Sequence, residues 1–163
     1  KLIVNLNHHI LINDKKLPEL VAKLLTIIGS KQAHPLIVQF SEHSLQQNLS
    51  QAQQQVALLR QYGAEISIRN FGDSLYSESI LTQIDTQYLC LHSKLSKMLA
   101  SEKDMAKLQE KILNFIGMKS VEILLTDLND MNLFANAWNV EARFLQGNYF
   151  QKKLDRLTDV QDQ

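Results

Sequence analysis

The sequence predicts an α/β domain with a parallel sheet, and three observations carry the prediction. Short apolar or β-branched runs recur along the 163 residues. Amphipathic stretches with helix start and stop residues lie between them. The runs are nearly continuous rather than alternating, as strands buried on both faces require. Regular alternation of this kind places crossover helices over parallel strands. It fits an open doubly wound sheet and part of a barrel equally well.

The first strand is expected over Leu2 to Leu6. A helix follows over Leu17 to Ile28, with Pro18 near its start and Gly29 just past its end. Leu36 to Phe40 is the second strand. Ser44 to Tyr62 reads as one long helix, with Ser44 and Gln47 at capping-box spacing and Gly63 as the stop. Its apolar stripe is Leu45, Leu49, Ala52, Val56 and Leu59, which leaves the glutamine-rich Gln46 to Gln55 as a solvated face. Glu65 to Ile68 is the third strand, and a short helix is expected over Ser77 to Ile84. The fourth strand is Tyr88 to Leu91. Asp104 to Ile116 is helical, turning Met105, Leu108, Ile112 and Phe115 inward, with Gly117 after it. Val121 to Leu125 is the fifth strand. A shorter helix over Asp130 to Trp138 buries Leu133, Phe134, Ala137 and Trp138, and Arg143 to Leu145 is a weaker sixth strand. Residues 1–152 form the domain, and 153–163 are a polar tail.

Composition excludes several function classes. Seventeen basic and seventeen acidic residues cancel, so there is no nucleic-acid footprint and no attraction to an anionic membrane surface. The single cysteine, Cys90, rules out an intrachain disulfide and fits a reducing, cytoplasmic setting. No apolar run approaches the roughly 20 residues of a membrane span. The start at Lys1, directly before the apolar LIVNL, leads to the expectation of a piece of a longer chain.

Functional side chains of parallel α/β proteins gather where strands end at their carboxyl edge. Those positions read VNLN (4–7), QFSE (39–42), RNFGDS (69–74), LCLH (89–92), LLTDLN (124–129) and FLQGNYF (144–150). In order and spacing they resemble the EAL domain, the bacterial cyclic di-GMP phosphodiesterase module on a (β/α)8 TIM-type barrel. That family carries NLS, E-x-T-E, DDFGTG, LKID, AEGVE and QGY in the same sequence. The resemblance implies a two-metal hydrolase ancestry, with carboxylates holding divalent ions that activate water.

The departures from that pattern matter most. By the resemblance, Asn5 matches the family's metal-binding asparagine and Gln146 its late glutamine. Gln39 stands for the first glutamate of E-x-T-E, and Arg69 and Asn70 for the paired aspartates. Cys90 replaces the lysine of LKID and His92 its aspartate, while Thr126 replaces the first glutamate of AEGVE. A unit-charge pair about 4 Å apart is worth roughly 4 kcal/mol at an effective dielectric near 20. An arginine beside a dication therefore costs several kcal/mol, added to the lost attraction, and no metal is expected. The reading is a degenerate, non-catalytic regulatory module in cyclic di-GMP signalling. It is expected to work by protein–protein interaction, with a PilZ-type or other signalling protein or a second copy of itself.

Within the family the chain looks most like the degenerate FimX type, a cyclic di-GMP receptor in type IV pilus control. ISIRNFGDSL (66–75) follows that type's I-S-x-F-G-x-S-L pattern. By that resemblance cyclic di-GMP is the one candidate ligand; in that type its contacts involve an upstream segment, and acidic and aromatic groups where this chain has Asp127 and Asn129. A full barrel takes about 250 residues, so this chain is expected to supply about six of eight strands. Upstream sequence or a partner chain is expected to cover the open edge. Glu42 is expected to brace the loop formed by Phe71, Gly72 and Asp73, and Gln146 and Gly147 to stand where a ligand can touch.

The remaining polar or aromatic candidates read as structural. His8 and His9 are adjacent, so their side chains diverge. His92 is expected to be a hydrogen-bonded structural histidine. Cys90, inside an apolar run with no base evident nearby, is a small core residue. Trp138 and Phe134 are packing residues.

Overall fold

The computed structural model describes residues 2–5, 36–128, 131–137 and 144–145. The expected helix over 17–28, His8 and His9, Asn129, Trp138, Gln146, Gly147 and the polar tail lie outside the described residues, as do the side chains of Asn5 and Phe134.

Among the described residues six parallel strands form one sheet: β1 (Leu2–Asn5), β2 (Leu36–Ser41), β3 (Glu65–Phe71), β4 (Tyr88–Leu91), β5 (Glu122–Leu125) and β6 (Phe144–Leu145). Their order in space is their order in the chain. A doubly wound sheet reverses direction at a switch point, whereas barrel walls add each strand beside the last. The sequential order therefore decides for a TIM-barrel-like wall over the open sheet.

Among the described residues six helices accompany the strands: α1 (Glu42–Gln47), α2 (Leu49–Gln61), α3 (Ser77–Gln83), α4 (Ser93–Ser96), α5 (Glu102–Met118) and α6 (Met131–Ala137). A 3-10 turn over Lys97–Ala100 continues α4. On the helix side of the sheet, Val38, Phe40, Ile66, Ile68, Leu89, Leu91, Ile123 and Leu125 meet Leu45, Ala52, Val56 and Leu59 of α1 and α2. Leu108, Ile112 and Phe115 of α5 complete that core. The opposite face carries a second, smaller cluster of Ile37, Tyr88, Cys90 and Leu124. This face corresponds to the interior of a barrel, and side chains alternate between the two faces along each strand.

Three expectations require correction. The helix over 44–62 is two helices, parted at Asn48 (φ −140°, ψ 50°). Ser41 rather than Ser44 starts the first, its hydroxyl accepting from the Ser44 N–H at 3.1 Å. An asparagine competes for backbone hydrogen bonds, which suits it to a break. Gly117 does not end its helix but lies within α5, which runs to Met118 and starts at the Ser101 cap. Finally, α4 and the 3-10 turn occupy a stretch that the sequence had left without structure.

Candidate functional site

β3 does not stop at Ile68 but continues through Arg69 and Asn70 to Phe71. Between Ile68, opposite Leu89, and Phe71, opposite Leu91, it spends three steps where β4 spends two. This is a bulge, and the extra residue reverses the alternation of faces beyond it. Asn70 sits there with φ 53°, in the left-handed region that asparagine tolerates better than most residues. Ser67 faces the barrel interior, where it meets Gln39 and Cys90. Without the bulge, Phe71 would share that face. Instead it lies fully buried in the helix-side core, edge-on to Phe115 at 5.1 Å between ring centroids. The Phe71 ring is therefore part of the core.

The loop after β3 is held from several sides. Glu42, 5% exposed, accepts from the Gly72 N–H at 3.3 Å and from the Ser77 hydroxyl. Gly72 has φ +101°, and a Cβ there would lie 2.7 Å from Leu95 Cδ1. Both conditions demand glycine. Lys111 of α5 reaches the Gly72 carbonyl at 3.5 Å, and Asp73 pairs with Lys94 at 3.3 Å. Glu42 thus ties this loop to the start of α1 through a buried carboxylate.

At the carboxyl edge of the sheet the polar residues form a short ladder. The Gln39 side-chain amide donates to Ser67 Oγ at 3.0 Å and to Cys90 Sγ at 3.1 Å, with Ser67 and Cys90 3.6 Å apart. Asn5 stands in register with Gln39. Burial pushes the Cys90 thiol above its ordinary value, against the smaller opposing effect of the Ser67 and Gln39 hydrogen bonds. A protonated, satisfied thiol is no nucleophile. Thr126 donates its hydroxyl proton to the Leu91 carbonyl at 2.8 Å, closing the end of β4. His92 accepts from the Lys94 N–H at Nδ1 (3.1 Å), capping α4, while its own N–H donates to the Phe71 carbonyl at 2.8 Å. Sequence reasoning missed this cap; the Ser-Lys-Leu-Ser that follows His92 gives little helix signal.

Arg69 is the exception. It lies in register with Ser41, two residues above Ser67, and is partly buried. Its Nε is buried without a hydrogen-bond partner, and it forms no ion pair among the described residues. A buried, unsatisfied donor costs about 1–3 kcal/mol, more when charged. Among the described residues no group of three or more His, Cys, Asp or Glu side chains is placed to hold a metal ion. Of the sequence-predicted positions, the structure thus gathers Gln39 and Cys90 around Ser67, and sets Glu42, Gly72 and Asp73 in the braced loop beside them.

The EAL domain family model matches residues 1–153. The chain belongs to the EAL domain family. Solved EAL domains share its fold. The FimX EAL domain from Pseudomonas aeruginosa bound to c-di-GMP superposes with a TM-score of 0.82 at 23% identity, covering 93% of this chain and 61% of that one. The Xanthomonas citri FimX EAL domain in complex with c-di-GMP gives 0.78 at 17% identity, covering 90% and 57%. The PaMucR phosphodiesterase, also a c-di-GMP complex, gives 0.74 at 20%, covering 89% and 58%. The chain therefore spans about three fifths of the length of these EAL structures. No curated protein matches it in sequence. No described helix is long and apolar enough to cross a membrane.

Proposed function

We propose that this EAL domain is a non-catalytic regulatory module of bacterial c-di-GMP signalling that acts by protein–protein interaction. The observation that carries the reading is the chemistry at the carboxyl edge of the sheet. A cation, Arg69, and the neutral groups Gln39, Asn70, Cys90 and Thr126 stand where the family pattern places carboxylates and a lysine. Divalent ions need hard anionic oxygens, and a guanidinium repels them. The partner in this reading is a PilZ-type or other signalling protein, or a second copy of the domain.

The likeness to two FimX EAL domains bound to c-di-GMP favours a second reading, a c-di-GMP receptor controlling type IV pili or motility. Calorimetric titration of c-di-GMP into this chain and into a longer one separates the two. The interaction module predicts no saturable heat with either. Tight binding by either chain would replace it with the receptor.

A further inference from the structure

We propose that Arg69 anchors a docking site for an acidic segment of a protein partner, taking one of its side-chain carboxylates as a bidentate ion pair. The inference rests on the interaction role proposed above and names the chemistry of the partner. Arg69 lies in register with Ser41 near the carboxyl end of β3, directly before the exposed Asn70 of the bulge. It is only partly buried, so a partner can reach it, yet its Nε is enclosed and has no acceptor among the described residues. A charged donor left in that state carries a cost that an incoming anion removes.

The surroundings select the anion. Nearby carboxylates are already engaged: Glu42 holds the Gly72 N–H and the Ser77 hydroxyl, and Asp73 pairs with Lys94. Lys111, on the Gly72 carbonyl, has no carboxylate partner among the described residues, so the charge around the loop favours an acidic partner. Donors below Arg69 are engaged as well. Ser41 bonds to Ser44, and Gln39 gives its amide to Ser67 and Cys90. Arg69 therefore acts through its own fork. One guanidinium meets one carboxylate in both geometry and charge, through two parallel N–H···O bonds and a unit of each sign. A phosphate dianion would bring a second charge and further oxygens, and neither β2 nor β3 supplies another cation to meet them.

The test is a titration of the ¹⁵N-labelled chain in EDTA with hexaglutamate, hexaglutamine, inorganic phosphate and c-di-GMP as separate arms. The reporter is the Nε–H resonance of Arg69, assigned by its loss in R69A. The expected result is a saturable shift with hexaglutamate and none with hexaglutamine. Read from backbone amides beside the site, the hexaglutamate affinity should weaken about tenfold or more in R69A and less in R69K. Both variants should keep the dispersed spectrum of the folded chain. Three results overturn the inference and leave the interaction role standing: no shift with hexaglutamate, an affinity that R69A leaves unchanged, or phosphate binding more tightly than hexaglutamate. Tight binding of c-di-GMP overturns the interaction role and, with it, the inference.

Discussion

Glu42 accepts two hydrogen bonds while nearly sealed from solvent, so the loop after β3 depends on one carboxylate. Glu42→Ala removes the acceptor for both the Gly72 N–H and the Ser77 hydroxyl. The expected loss is about 2–4 kcal/mol of unfolding free energy in urea denaturation, with Glu42→Gln losing less because it keeps a carbonyl oxygen. Gly72→Ala meets a different obstacle, since a methyl group would press on Leu95 in a backbone conformation that L-residues avoid. It should cost about 1–3 kcal/mol by the same measurement. Cys90 gives a prediction with a sign. Burial raises its folded pKa above the ordinary 9.0, so the folded state keeps the proton to higher pH than the unfolded chain does. Its contribution to stability is complete below pH 9.0 and declines as pH rises through that value toward the folded pKa. The urea midpoint should therefore fall over that range, and Cys90→Ala should reduce the fall.

The bulge in β3 is the element on which the site turns. It keeps Ser67 on the interior side and delivers Phe71 to the core against Phe115. Asn70→Val puts a β-branched side chain at φ 53° and should cost about 1–3 kcal/mol, whereas Asn70→Gly should be neutral or slightly stabilising. Hydrogen exchange across β3 and β4 would show whether the loss is local to the bulged pair. Nothing in EISIRNF reveals such a bulge, because a single inserted residue leaves the apolar pattern intact up to Ile68. The apolar runs themselves were legible because their burial is two-sided: Tyr88–Leu91 is found with the bounds its composition implies. Helix ends were less so. Asn48 interrupts a stripe that reads as continuous, and Gly117 keeps helical backbone inside α5 instead of ending it. α4 is legible only from structure, since its cap is a histidine ring nitrogen rather than a serine or aspartate.

At the scale of the molecule, alternation of strands and helices gave the class, but only strand order distinguished a barrel wall from a doubly wound sheet. Motif order at the strand ends carried the family, because those residues are spaced by the crossovers rather than by local propensity. What the motifs could not convey is which substituted residues satisfy one another. Gln39, Ser67 and Cys90 close into a neutral network, and Arg69 is left with a buried donor and no counter-charge among the described residues. The proposed role requires that this edge of the sheet does not hydrolyse a phosphodiester. The direct measurement is incubation of the purified chain with c-di-GMP and manganese or magnesium, followed by chromatographic quantification of linear product. Product is expected at the level of a protein-free control. Metal-dependent product above that level would contradict the claim.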